Sequence, residues 1–394
     1  MACSCPAMPD SPAFRIAPPG FVTHPALQAV LAAVPDARIV GGAVRDTLAG
    51  RAVSDVDLAT PQPPDVVAAA LNAAGLRALP TGLAHGTITA LSDGASYEIT
   101  TLRRDHDTDG RHARVDWTTD WQEDAARRDF TFNALSMTPD GAVWDYFGGA
   151  ADLATGTVRF VGEPAARIAE DYLRILRFFR FHARYGHGAP DPAALDAIRG
   201  GVCGLANLSA ERVWSELRLI LSTPAPTAAV ALMDQLGVLQ ALVPGASAAG
   251  LQRLPSDAPP DPLLRLEAMR PGAAALAEAL RLSAHERAML LALVGDAPTD
   301  SMDDAALRRM LAETPPLALL GRAWLAGGGP VVARLQATPV PVFPLEGRDV
   351  VARGLSPGPA VGEHLRAVRA WWLDGGCIAS RADCLAALAA RLGG

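Results

Sequence analysis

The sequence predicts an α+β protein in which a small mixed-sheet domain is followed by an all-α remainder. Two observations carry that reading. Residues 26–150 alternate short β-rich runs, "ARIVGG", "SDVDLAT", "GTITALS", "SYEITTLR" and "AVWDYFGG", with helical stretches. After Thr157 the β signal fades, and "RIAEDYLRILRFFRFHARYG" and "LSAERVWSELRLILST" have the spacing of amphipathic helices. At 394 residues the chain also exceeds the size of one ordinary core.

Taken in order, residues 1–25 read as a loosely attached tail, 26–150 as the sheet-bearing head and 151–223 as a helical neck. Residues 224–394 read as a helical body and tail, rich in alanine and leucine and broken by Pro and Gly, with a boundary near 300 left open. "ASAAGLQRLPSDAPPDP" has the composition of a linker, and "RRDHDTDGRHARVDWTTDW", between Arg103 and Trp121, that of a polar loop.

Composition excludes several classes. No run of 18 apolar residues free of charge occurs, so a membrane span is not expected. The first 20 residues lack a basic region followed by a long apolar core, which points to a cytoplasmic chain. Five cysteines, at 3, 5, 203, 377 and 384, have neither the spacing nor the histidine neighbours of a disulfide framework or a zinc site. The net charge of −7 argues against a protein that coats nucleic acid by bulk charge, while a local basic surface stays open. All 35 Lys-plus-Arg positions are arginine. That cation suits phosphate and base edges, but such a bias is equally what a genome's base composition produces.

The chemistry begins in "IVGGAVRDTLAGRAVSDVDLAT" (39–60). On a strand, Asp55 and Asp57 face the same side, and Val56 and Leu58 the core. Two such carboxylates repel unless a cation lies between them, and oxygen ligands suit Mg²⁺. "RIVGGAVRD" reads as a strand, a glycine turn and a helix start with Arg45 in its first turn, where backbone N–H groups attract phosphate. Glu98 in "SYEITTLR" completes a three-carboxylate cluster if its strand pairs with that of Asp55 and Asp57. Taken singly, these features are also a polar edge strand, a tight turn and a solvated glutamate.

In company they are specific. "GGAVRDTLAGRAVSDVDLAT" resembles the head motif of the polymerase-β-type nucleotidyltransferases in the tRNA CCA-adding enzyme and bacterial poly(A) polymerase family. "RRDFTFNALSM" (127–137), "EDYLRILRFFRFHARYG" (170–186) and "LSAERVWSELRLIL" (208–221) are similar to further motifs of that family, in the same order. The resemblance implies that Asp55, Asp57 and Glu98 are catalytic and hold a two-metal Mg²⁺ site. It implies that Gly42 and Arg45 contact the triphosphate, and that Arg128 with Asp129 handles sugar or phosphate, with Arg127 sharing that work.

The stretch "EDYLRILRFFR" carries Asp171, Arg174, Arg177 and Arg180 at steps of three, close together on one helix face. Phe178, Phe179 and Phe181 crowd the same helix, so it should be packed on more than one side, with arginines that need partners which a ligand is able to supply. The resemblance assigns Asp171 and Arg174 to the incoming base. Cytosine and adenine each present an amino donor beside a bare ring nitrogen, and uracil and guanine the reverse. A carboxylate plus a guanidinium therefore matches C and A. Arg177 and Arg180 are assigned to triphosphate, or to keeping Asp171 and Arg174 in place.

The implied reaction adds CMP, CMP and AMP from CTP and ATP to the 3′ end of tRNA. The polar 103–121 segment is similar to the loop that complete CCA-adding members use when switching from C to A, while His106 and Asp107 within it read as solvated. Rival readings are a poly(A) polymerase, a CC-only enzyme, a nucleotidyltransferase acting on a small molecule, and an RNA-binding protein with a dead catalytic head.

Overall fold

The structure, a computed structural model, describes residues 11–108 and 113–392, with all side chains among them except those of Ala84 and 105–115. Two units make up the chain. One comprises the described residues up to Glu216 together with Gln235–Leu242, and the other Leu217–Asp234 with Val243 onward.

The first unit opens with β1 (Phe14–Arg15), α1 (Pro25–Ala33), β2 (Arg38–Val40) and α2 (Gly42–Leu48). It continues through β3 (Asp57–Thr60), α3 (Pro64–Ala73), β4 (Arg77–Gly82), β5 (Thr87–Ser92) and β6 (Ala95–Thr101). Next come β7 (Arg103–Thr108), β8 (Ala113–Trp117), α4 (Trp121–Ala126), β9 (Ser136–Met137) and β10 (Ala142–Trp144). Four helices follow, α5 (Gly149–Thr155), α6 (Pro164–Glu170), α7 (Leu173–Tyr185) and α8 (Pro192–Gly201), and α9 (Ala210–Leu221) begins in this unit and continues past Glu216.

Eight strands form one mixed sheet in the order β1-β10-β9-β2-β3-β6-β5-β4. β3 and β6 are its parallel pair, with Leu58 opposite Ile99, so one step back along both strands sets Asp57 beside Glu98. The pairing needed for a carboxylate cluster is therefore present. Ile39, Leu58 and Ile99 are buried on one face of the sheet, so the alternating positions Asp57 and Glu98 point to the other.

Three expectations about local structure are corrected. Phe14 and Arg15, placed in the tail, pair with Val143 and Ala142 and add an edge strand; backbone hydrogen bonding, which composition does not report, ties them down. Cys3 and Cys5 fall outside the described residues. The 103–121 segment is not a loop throughout, because β7 and β8 pair antiparallel from Arg103 opposite Trp117. Residues 109–112 between them lie outside the described residues, as do the side chains of His106 and Asp107.

The third correction concerns the arginine-rich helix. It is broken at Asp171, whose backbone is extended (φ −156°, ψ 107°) between the end of α6 and the start of α7. The Asp171 carboxylate accepts the Leu173 N–H at 3.1 Å, the local side-chain competition that makes aspartate a helix-boundary residue. As expected, α7 is packed on more than one side. Phe178, Phe179 and Phe181 are buried, and with Phe130, Phe132 and Phe160 they form a continuous aromatic cluster, the Phe130 and Phe160 rings 4.8 Å apart.

The second unit is built of helices and connecting loops, with no strand among its described residues. Its later helices, Pro359–Asp374 and Arg381–Leu392, enclose a core of Leu345, Val350, Val368, Trp372, Cys384 and Leu388. Cys203, Cys377 and Cys384 are free thiols. Among the described residues no helix is long and apolar enough to cross a membrane.

Candidate active site

A cleft of about 470 Å³ opens in the first unit, lined by Gly41, Gly42, Arg45, Arg128, Asp129, Asn133, Asp171, Leu173, Arg174, Arg177, Arg180, Phe181 and Arg212. It gathers all eight residues assigned to nucleotide binding, drawn from positions 42 to 180. Six arginines against two aspartates make this lining cationic in a chain of net charge −7.

β2 delivers the chain to the cleft through Gly41, whose φ of 62° and ψ of −117° suit glycine alone. A β-carbon at Gly41 would also come within 3.0 Å of an Arg128 Nη1, whereas one at Gly42 would meet only Arg45 Nη2 at 3.6 Å. The conformational demand therefore falls on Gly41 rather than on Gly42. Gly41→Ala is expected to cost about 1–3 kcal/mol of stability and to raise KM for nucleotide. Gly42→Ala should stay within roughly 0.5 kcal/mol of the parent in denaturant melts, and equal losses at both positions would contradict this difference.

The arginines arrive already partnered. Arg45, buried, donates to both oxygens of Asp46 (3.1 and 3.2 Å) and to Asn133 Oδ1 at 2.6 Å. Arg177 donates to Asp129 Oδ2 at 2.6 Å through Nε, and Arg180 to Glu216 Oε2 at 2.6 Å. Arg174 donates to Glu170 Oε2 at 2.5 Å. Carboxylates thus partner the charged stripe of α7. Burial pushes the Arg180 guanidinium pKa down, while for Arg177 burial is outweighed by the combined charges of Asp129, Glu216 and Asp171 and the Asp129 hydrogen bond, and the pKa is raised.

Asp129 is engaged from three directions, by Arg177, by Asn133 Nδ2 at 2.9 Å and by the Phe130 N–H at 2.9 Å. Although burial opposes it, the guanidinium of Arg177 and these donors hold its carboxyl below the usual range. Its Oδ1 thus accepts from Asn133 and Phe130 and its Oδ2 from Arg177. Asp124, which the sequence did not single out, receives Arg127 Nε at 2.9 Å and Arg128 at 3.4 Å, and so fixes both arginines of "RRD".

Asp171 faces a partner the sequence analysis missed, since its Oδ2 accepts from Arg212 Nη2 at 2.6 Å. Arg212 stands four residues before Glu216 on α9, so the pair shares a helix face; that spacing was the available signal.

Asp55, Asp57 and Glu98 are not part of the cleft lining. Asp55 precedes β3 and is exposed, with Ser54 Oγ donating to its Oδ2 at 2.8 Å. Burial and the neighbouring charges of Glu98 and Asp55 raise the Asp57 carboxyl above its usual pKa, and Arg128, itself in the cleft lining, opposes them. That mutual repulsion is the condition a divalent cation relieves, and an all-oxygen donor set fits Mg²⁺. Among the described residues no three His, Cys, Asp or Glu side chains converge into a metal cage. A cation here would complete its shell with substrate oxygens and water, as Mg²⁺ sites for phosphates commonly do.

Residues 37–159 match the family described as Poly A polymerase head domain, and residues 189–249 the one described as probable RNA and SrmB-binding site of polymerase A. The chain is 37% identical over 360 residues to the mitochondrial CCA tRNA nucleotidyltransferase 1 of Mus musculus, covering 86% of this chain and 83% of that protein. It is 48% identical to the Danio rerio protein of the same name over 206 residues, 52% of this chain and 48% of the relative, about half its length. The solved Bacillus stearothermophilus CCA-adding enzyme in complex with CTP superposes with a TM-score of 0.72 at 26% identity, over 94% of this chain and 98% of that one. With its mixed-sheet head, its arginine cleft and this similarity along most of its length, the chain belongs to the CCA tRNA nucleotidyltransferase family.

Proposed function

We propose that the chain adds CMP, CMP and AMP in turn to the 3′ end of tRNA, using CTP and ATP and releasing pyrophosphate. The observation that carries the reading is the single cleft in which Asp171 and six arginines meet beside the Asp55, Asp57 and Glu98 carboxylates. In the reaction the 3′-hydroxyl oxygen of the tRNA bonds to the α-phosphorus, the α–β bridging bond breaks, and the hydroxyl proton is lost. Arg45, Arg128, Arg177 and Arg180 balance the triphosphate, with their carboxylate partners keeping the guanidinium planes in place. Asp171 accepts from the amino group of cytosine or adenine, and Arg174 donates to the adjacent ring nitrogen. Asp55 and Asp57, with Glu98 beside them, would hold a divalent cation such as Mg²⁺, which would supply charge stabilisation at the phosphate. The helical region after residue 224 is assigned to tRNA, recognised by shape and phosphates.

Resemblance of the segment containing the β7–β8 hairpin to the switching loop of complete members supports full CCA addition over CC-only addition. The test offers each nucleotide, singly and together, with Mg²⁺ to tRNA transcripts ending before CCA, after C and after CC. Stepwise C, C, A addition is expected. Long A tracts from ATP alone would instead indicate a poly(A) polymerase, incorporation of C without A a CC-adding enzyme, and no transfer a binding protein.

A further inference from the structure

We infer that Arg167, on the helix before the base-reading residues, is a positioning residue that sets where Arg174 stands relative to the Arg127–Arg128 backbone. The inference rests on the reading of Arg174 as a base-selecting group.

Arg167 lies in the last turn of α6 with a largely buried side chain. Its Nη2 donates to the carbonyls of both Arg127 and Arg128, the latter at 2.8 Å, joining α6 to the backbone of the segment that supplies Arg128 to the cleft. Its Nη1 donates to both oxygens of Glu170, at 2.9 and 2.7 Å. The same two groups then hold Arg174. Arg174 Nη1 donates to the Arg167 carbonyl at 2.8 Å and to Glu170 Oε2 at 2.5 Å. A continuous route of hydrogen bonds thus runs from the 127–128 carbonyls through one residue to the guanidinium proposed to meet the base.

Packing alone does not account for an arginine here. Burial and the nearby Arg174 charge disfavour its cationic form, and its Nε is buried with no hydrogen-bond acceptor among the described residues. A neutral side chain of similar length would fill the space without that cost. What the guanidinium adds is planar, several-fold donation at fixed angles, the property that lets one side chain reference two backbone carbonyls and a carboxylate at once. Discrimination between C and U depends on where donors and acceptors sit to within a fraction of an ångström. Such a reference therefore matters to selection more than to folding.

The experiment measures CMP against UMP incorporation, KM and kcat for CTP, and thermal unfolding, in full-length Arg167→Gln, Arg167→Lys, Arg174→Ala and Arg167→Gln/Arg174→Ala chains. Arg167→Gln is expected to lower the CMP-to-UMP preference about tenfold, with KM rising more than kcat falls. Lysine, which keeps charge but loses the planar fork, should recover part of the preference. Adding Arg167→Gln to Arg174→Ala should cost little further selectivity, since both act through one group. If Arg174→Ala loosens selection while both Arg167 variants keep the parent preference, the positioning role is wrong and the base reading stands. If Arg174→Ala itself leaves selection unchanged, the base reading fails and this inference falls with it. Should Arg167→Gln not fold, the lysine variant decides, and parent selectivity there overturns the proposal.

Discussion

Asp55→Ala and Asp57→Ala are each expected to reduce nucleotide transfer by at least about a thousandfold, with the unfolding temperature little changed. The size of the effect follows from the chemistry, because stabilising charge at a reacting phosphate is worth several kcal/mol and each 1.4 kcal/mol is about tenfold in rate. The preserved fold follows from position. Asp55 is exposed, and Asp57 at the start of β3 is solvent-accessible although its carboxylate is partly desolvated by its surroundings, while Leu58, Ala59 and Thr60 carry the core burial. Removing Asp57 also relieves the desolvation and the repulsion from Glu98 and Asp55 that together outweigh the attraction of Arg128 and raise its pKa, so no loss of stability is expected from the charge itself. Rapid-quench transfer assays and melts on the same preparations provide the check. Near-parent transfer by either variant would remove the metal assignment, and a collapse of the melt would turn the effect into one of folding.

The second large effect is expected at Asp171. Asp171→Ala should reduce discrimination of CTP over UTP by about tenfold to a hundredfold, because a site built to accept an amino proton loses its acceptor. The alanine also leaves Arg212 without its 2.6 Å partner and the Leu173 N–H without its acceptor, so some loosening of the start of α7 accompanies it. Arg212→Ala separates the two contributions. That variant keeps the Asp171 carboxylate and its bond to Leu173 but frees its second oxygen, and a smaller loss of discrimination than in Asp171→Ala is expected. Competition between labelled CTP and UTP for one tRNA transcript measures both. Unchanged preference in Asp171→Ala would eliminate the carboxylate as a base-reading group.

The legible parts of the site share a physical property. In "SYEITTLR" Tyr97 and Ile99 are buried on either side of exposed Glu98, and the parallel pairing of β3 with β6 sets Glu98 beside Asp57, while Asp55 precedes the strand. Likewise the steps of three among Arg174, Arg177 and Arg180 keep those arginines neighbouring on α7, and all three line the cleft. The segment containing Asp171 was less legible. A carboxylate that competes with the backbone for the Leu173 N–H ends one helix and starts another, while periodicity alone reads straight through it. The β7–β8 hairpin was hidden for a related reason, since a polar two-stranded ribbon has no apolar alternation to reveal it.

By itself the sequence determined the α+β division and the β-rich runs that carry Asp57 and Glu98, which are written in local period, and motif resemblance singled out the arginines and aspartates that the fold gathers into one cleft. Only the tertiary structure decided the partners. Asp129 with Arg177, Glu216 with Arg180, Arg212 with Asp171 and Arg167 with the Arg127 and Arg128 carbonyls are separated by 36 to 48 positions in the chain. Such pairs form because a buried charge left alone is costly and the fold must supply its counterpart from wherever the packing brings one near. The aromatic cluster from Phe130 to Phe181 performs that bringing together, holding the "RRD" segment and α7 in one core.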